Sequence, residues 1–260
     1  MAETDRRRFL SRGLAGAGML ILAGCDRLSQ SSWFVKTLQS AEELNRRAQR
    51  LFAREQSLAK EFTKADIAPV FRANGTTKLE ELPPYYADHA AKNFVDWRVE
   101  VDGLVENKLS LSLEDLRKFP SRTQITRHDC VEGWSCIGQW TGAQLAPILA
   151  AAKPKAQARY VVFRCADSLG GDDFEPPQPY YESLDLLEAT HPQTILAYEL
   201  NGAPLPVANG APVRLRAERQ LGYKMAKYVQ RLELVENFAE IHGGKGGYWE
   251  DLGYSWWAGI

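Results

Sequence analysis

The apolar positions divide the chain into two textures. Residues 36–62 carry Leu38, Leu44, Leu51, Phe52, Leu58 and Phe62 near helical spacing with charges between them, which predicts an amphipathic helix packed on the body of the protein. A turn follows at Asn74-Gly75, and Leu82-Pro83-Pro84-Tyr85 reads as a loop. Beyond it the period shortens: residues 97–103 alternate apolar and polar side chains and close on Asp-Gly, the pattern of a strand ending in a turn. Ser112, with Asp115 three residues on and Leu113 and Leu116 on the inner side, predicts a short capped helix. Further strands are predicted at 123–126, 160–164, 195–200, 213–217 and 229–235, and short helices at 142–152 and 184–190. Strands outnumber helices and do not alternate with long ones. The expectation is therefore a sheet-rich mixed α+β domain and not a doubly wound α/β fold.

The N-terminus reads differently. Arg6, Arg7 and Arg8 precede Phe9 and Leu10, then an uncharged small-residue stretch runs from Leu14 to Gly24; together they resemble a twin-arginine export signal. Leu22-Ala23-Gly24-Cys25 reads as a lipoprotein processing site, with Cys25 acylated and Asp26 resembling a signal for retention at the inner membrane. The alternative is that cleavage falls elsewhere and Cys25 belongs to the discarded peptide. The expected organisation is a leader over residues 1–25, a helical segment over 26–70 and one oxidoreductase domain over 71–260, placed in the periplasm. Removing the leader's four arginines and two acids takes the formal charge from −1 to −3. With 32 basic and 33 acidic side chains overall, the chain lacks the basic bias that nucleic acid would require.

Cysteine usage sharpens the question of chemistry. Setting Cys25 aside leaves Cys130, Cys136 and Cys165, an odd number, so at least one thiol is free or bound to something. No C-x-x-C pair exists, which excludes zinc ribbons, covalent haem and ordinary iron–sulfur clusters by spacing. The segment Arg127-His128-Asp129-Cys130-Val131-Glu132-Gly133-Trp134-Ser135, followed by Trp140-Thr141-Gly142, delivers one cysteine beside two cations, an environment that favours a thiolate for a soft metal or an electrophile. If the strand runs through the cysteine, His128 and Cys130 share a face. A buried structural cysteine, or a Cys130–Cys136 disulfide, fits the same residues.

A second cluster is chemically independent. Asn209-Gly210 forces a turn and Pro212 fixes the entry to Val213-Arg214-Leu215, while Arg214, Lys224 and Lys227 with the backbone of Met225, Ala226 and Lys227 offer a cationic patch for a phosphate. A solvated hairpin with scattered charges is the competing reading of this cluster alone.

Taken in order, these two blocks, with Tyr180-Tyr181-Glu182-Ser183 and His191-Pro192-Gln193-Thr194 between them, resemble the sulfite oxidase superfamily, and most closely its bacterial periplasmic branch that includes the methionine sulfoxide reductase catalytic subunit. The resemblance runs over residues 71–236. It implies a molybdenum-molybdopterin cofactor with Cys130 as the protein ligand to the metal, His128, Arg127 and Glu132 around the reacting centre, and pterin contacts from Asn209, Arg214, Met225, Ala226 and Lys227, with Asn74 and Cys165 as weaker members. Cys165 stands where the reductase branch has threonine, so a core role competes with a cofactor contact. The resemblance implies oxygen-atom transfer. Glu132, where sulfite-oxidising relatives resemble one another in carrying arginine, favours reduction of a neutral S-oxide or N-oxide, with a sulfite dehydrogenase as the alternative.

Nothing in the sequence carries electrons away from molybdenum, so a separate haem protein or membrane electron-transfer subunit is expected, alongside a small-molecule substrate. No room remains for the extra dimerisation domain of larger relatives, and a monomer is expected. The tail Gly243-Gly244-Lys245-Gly246-Gly247 lacks the spacing and the Ser or Thr of a phosphate loop. Tyr248, Trp249, Tyr254, Trp256 and Trp257 are expected to cover an apolar surface, a docking face for an electron partner being the alternative. The rival to an enzyme is a non-catalytic periplasmic lipoprotein module in which Cys130 and Cys136 are linked.

Overall fold

The structure is a computed structural model that describes residues 31–52, 57–171 and 176–260. It comprises two compact units, Met1–Phe52 and Ala53–Ile260. The expected leader, with Cys25, lies outside the described residues. In the first unit, α1 (Ser32–Phe52) carries Glu43 paired with Arg46 and Arg47 one turn on. This helix begins before residue 36 and stops well before 62. Phe62 instead donates its N–H to the Ile125 carbonyl at 2.8 Å, and Glu61 bridges Thr126. Pairing with a sheet edge satisfies that backbone and overrides the helical spacing of Leu58 and Phe62. No described helix is long and apolar enough to cross a membrane.

The second unit runs α2 (Pro84–Ala91), β1 (Val99–Gly103), β2 (Leu109–Leu111), α3 (Leu113–Lys118), β3 (Ser121–Asp129), β4 (Ser135–Gln144), α4 (Leu145–Ala152), β5 (Tyr160–Leu169), β6 (Gln178–Asp185), α5 (Leu186–Ala189), β7 (Ile195–Leu200), β8 (Ala203–Pro204), β9 (Arg214–Arg216), β10 (Val229–Val235) and α6 (Tyr248–Asp251). One sheet has the order β2-β1-β10-β5-β6; the other is β3-β4-β7-β8, with β9 also paired to β7. Every pairing is antiparallel except β1 with β10. This is the sheet-rich α+β architecture expected.

The main core gathers Val99, Val101, Val161, Phe163, Leu232 and Leu234, which alternate along the first sheet, with Leu145, Ile148 and Leu149 of α4 and Leu196, Val213 and Leu215 of the second. A smaller cluster of Phe71, Cys136, Trp140, Ile195, Ala197 and Leu200 lies apart from it. Strands β7 and β10 have the expected bounds. The helix expected over 142–152 begins only at Leu145, because β4 continues through Gln144 against β7. Strand β6 was hidden from its pattern: Tyr180 to Leu184 are all buried, so no alternation marks them. Helix α2 starts inside the expected loop, with Pro84 in its first turn, where proline's missing N–H costs nothing.

Candidate active site

Strand β3 delivers the thiol. Gln124, Thr126 and His128 are its buried positions, and Cys130 continues their row just past the strand end. There the chain turns: the Cys130 N–H donates to the Trp134 carbonyl at 2.9 Å, and the Gly133 N–H donates to the Cys130 carbonyl at 3.0 Å. The thiol is 8% exposed and lies 3.6 Å from the Asn74 Nδ2. Burial pushes its pKa up, against the opposing pull of Arg72 and the Asn74 amide. Cys130, Cys136 and Cys165 are all unlinked. Cys136 pairs in register with His128, and its Sγ is 3.7 Å from the Val70 carbonyl, within the smaller core cluster. Among the described residues no group of three or more His, Cys, Asp or Glu is placed to hold a metal. A metal at Cys130 therefore draws on one protein sulfur and takes its remaining ligands from elsewhere.

The thiol opens into a cavity of about 130 Å³ whose lining includes Asn74, Asp167, Tyr180, Arg214 and Lys227. The cations come from β9 and the segment after it. Because strand side chains repeat with period two, Arg214 and Arg216 share one side of β9, and their guanidinium groups lie 5.0 and 4.4 Å from the Trp140 ring centroid. Arg216 is neutralised by Glu218, 2.6 Å away, and donates to the His128 Nδ1 at 3.0 Å. That bond makes Nδ1 the acceptor and leaves the ring proton on Nε2. Burial, then Arg216 and Arg214, hold the His128 pKa well below its usual range, so the imidazole is neutral. Gly222 packs so closely on this ring that a Cβ there would collide with Cε1 and Nε2.

Arg214 is placed differently. It donates to the carbonyls of Asn209 at 2.9 Å and Met225 at 3.2 Å, while its buried Nε and the buried Asn209 Nδ2 have no partner. Burial, reinforced by Arg216, lowers its pKa to about 9. Lys227 donates to the carbonyls of Asn74 at 2.7 Å, Ala208 at 3.2 Å and Thr76, and burial with Arg214 lowers its pKa to about 7. Asp167 is the buried acid facing them; its Oδ1 is unpartnered and burial raises its pKa to about 6. Gly210, at φ +105°, lets the backbone turn against the Lys227 and Arg214 side chains. Two strained cations and two orphaned N–H donors beside a free thiol are what an anionic, acceptor-rich ligand with a thiol-bound metal completes. The residues present fit a molybdenum-pterin phosphate.

The structure thus brings Cys130, Asn74, Arg214, Met225 and Lys227 to one cavity, with Asn209 behind Arg214 and Ala226 buried, its carbonyl accepting from the Leu215 N–H at 2.8 Å. Glu132 stands exposed at the rim and accepts from the Trp134 indole at 2.9 Å. Arg127 does not join them: strand parity turns it to the opposite face, exposed and paired with Asp129 at 2.8 Å. Cys165 faces a different cleft from β5, and its neighbours are core residues. Lys224 is withdrawn from the phosphate patch, its ammonium being buried between Glu182 and Glu250. The Met225 amide already donates to the Gly222 carbonyl at 3.1 Å. Sequence reasoning missed Asp167, Thr76 and Arg216; of these, Arg216 was accessible through its two-residue spacing from Arg214. It also missed that Trp249 and Tyr254, expected on an apolar surface, line this cavity.

The fold and this site define a molybdopterin oxidoreductase. The chain belongs to the oxidoreductase molybdopterin binding domain family, whose model matches residues 86–242, and its cofactor is molybdenum-molybdopterin. It is 34% identical over 98% of its length to a protein of Azospira oryzae provisionally named protein-methionine-sulfoxide reductase subunit YedZ1, covering 87% of that relative. It is 36% identical to the protein-methionine-sulfoxide reductase catalytic subunit MsrP of Campylobacter jejuni over 56% of this chain, and 40% identical to that of Xanthomonas axonopodis over 60%. The chain spans about half of those two relatives, 52% and 48%. Superposition on the sulfane dehydrogenase SoxCD of Paracoccus pantotrophus gives a TM-score of 0.49 at 23% identity, covering 57% of this chain and 40% of that one.

Proposed function

We propose that this oxidoreductase reduces a neutral S-oxide, with Cys130 as the metal's protein ligand. The observation that carries the reading is the carboxylate at the mouth: Glu132 is exposed there, and Arg127 is turned away onto Asp129. A sulfite dianion meets a carboxylate at this entrance, whereas a neutral sulfoxide pays no such penalty. The names of the relatives favour the same substrate class, and an N-oxide shares its neutral charge.

When bound, the molybdenum-pterin group supplies two-electron oxygen-atom exchange. Arg214, Lys227 and Asn209 hold its anionic end, Asn74 donates toward the Cys130 sulfur, and neutral His128 buttresses the Gly222 turn. The half-reaction balances with two electrons and two protons entering as the S–O bond breaks, and a thioether and water leaving. The electrons come from a separate haem protein or membrane electron-transfer subunit. In this reading the leader over 1–25 directs export, Cys25 carries a lipid at the inner membrane, residues 26–70 form an N-terminal segment whose helix ends at Phe52, and 71–260 form a monomeric periplasmic catalytic domain.

The test is a panel of sulfoxides, N-oxides and sulfite with purified, metal-loaded protein and artificial electron carriers. Consumption of sulfoxide with a reduced viologen is expected. Brisk sulfite oxidation with sulfoxides ignored overturns the reading.

A further inference from the structure

The C-terminal segment lies beyond the residues 86–242 matched by the family model, yet it builds one wall of the Cys130 cavity. Trp249 stacks on Tyr254 at 5.2 Å between ring centroids, and Tyr254 meets Tyr223 edge to face at 5.3 Å. All three line the cavity, and Tyr254, like the lining residues Glu132 and Val131, is exposed to solvent. The lining therefore combines polar groups, Asn74, Arg214 and Lys227, with the aromatic rings of Tyr223, Trp249 and Tyr254.

The wall is fixed in advance. Glu250 of α6 is buried against Lys224, which also holds Glu182 of β6. The next residue, Asp251, accepts from the Tyr181 hydroxyl at 2.6 Å and from the Gly243 and Lys245 amides at 2.9 Å each. The Tyr223 hydroxyl donates to the Ser255 carbonyl at 2.7 Å, joining the ring that precedes the cationic segment to the tail. The glycine-rich stretch at 243–247 thus cradles a side-chain carboxylate of its own chain. A backbone anchored on both sides of Trp249 and Tyr254 presents their rings to a ligand at a lower ordering cost than a free tail would.

We infer that Trp249 and Tyr254 are specificity-determining residues whose rings receive the alkyl substituents of a dialkyl sulfoxide. The inference rests on the sulfoxide reading above. Aromatic faces carry negative quadrupole, so the wall adds to Glu132 in disfavouring a dianion, while alkyl groups and sulfur pack well on it. Longer alkyl substituents gain more from the wall than methyl groups do.

The experiment compares wild type, Trp249→Ala, Tyr254→Ala, Trp249→Phe and Tyr254→Phe as holoenzymes of measured molybdenum and pterin content, with dimethyl and di-n-propyl sulfoxide. Each alanine variant is expected to raise KM for the dipropyl substrate about tenfold, equivalent to about 1.4 kcal/mol, with kcat held and the dimethyl KM little changed. The phenylalanine variants restore most of the loss. Equal KM changes for both substrates, or a fall in kcat alone, overturn the inference. Calorimetric binding of di-n-propyl sulfone, which is not turned over, separates the two claims. Binding by wild type and its loss in Trp249→Ala support the wall even if no sulfoxide is reduced, in which case only the activity reading falls. Equal binding to both, or none to wild type, overturns the wall.

Discussion

Replacing Lys224 by methionine probes the joint between the cofactor segment and the aromatic tail. The side chain is 1% exposed and its ammonium serves two carboxylates, Glu182 and Glu250, both 0% exposed. Burial alone pulls the Lys224 pKa down, but the two acids outweigh it and the net shift is up. Methionine fills similar volume while leaving two buried acids without their cation, so the expected loss is roughly 3–5 kcal/mol. For a unit of this size that is a drop in Tm of roughly 6–20 °C. Glu250→Gln, which leaves one lysine facing one carboxylate, costs less.

The pH dependence has a definite sign. Burial, then Glu250, holds the Glu182 carboxyl well above its ordinary value of 4.5. The folded state keeps a proton there that the unfolded chain releases near 4.5, so the associated stability is complete at low pH and disappears as pH climbs through the raised value. Without the ammonium, ionising Glu182 becomes harder still. The deficit of Lys224→Met is therefore larger at pH 8 than at pH 5 in denaturant unfolding. A deficit independent of pH, or below about 1 kcal/mol at pH 8, refutes the reasoning.

Other perturbations separate the parts of the site. Gly222→Ala forces a methyl into the His128 ring; it is expected to cost about 1–3 kcal/mol and to lower pterin content on purification. Arg214→Ala removes a buried cation together with its hydrogen bonds to the Asn209 and Met225 carbonyls, so pterin retention is expected to fall; equal retention contradicts its role. Cys165→Ala keeps full molybdenum and pterin content, because that thiol faces another cleft, and loss of the cofactor contradicts its placement.

Much of the site was legible because its chemistry is local in the chain. Cys130 sits within one turn, and Asn209, Arg214, Met225 and Lys227 lie close enough in sequence for turn and strand rules to group them. What resisted reading depends on partners far away. Lys224 looked like a phosphate cation until Glu182 and Glu250 arrived from β6 and α6. Asn74 and Thr76 reach the site through Lys227, more than a hundred residues on, a link no periodicity reports. Arg127 was a different kind of miss: the alternation that puts His128 beside Cys130 also turns Arg127 outward, so parity already excluded it. In the fold, β7 and β10 were read with their full bounds, whereas β4, though its burial alternates, and β6, continuously buried from Tyr180 to Leu184, were not read as strands.

The central claim is that the sulfur of Cys130 is bonded to molybdenum. Cys130→Ser, purified alongside wild type and examined for metal content and by electron paramagnetic resonance, tests it most directly. The account predicts depleted molybdenum or, where metal is retained, a spectrum altered by the loss of sulfur from its coordination. Full molybdenum content with an unchanged spectrum contradicts it.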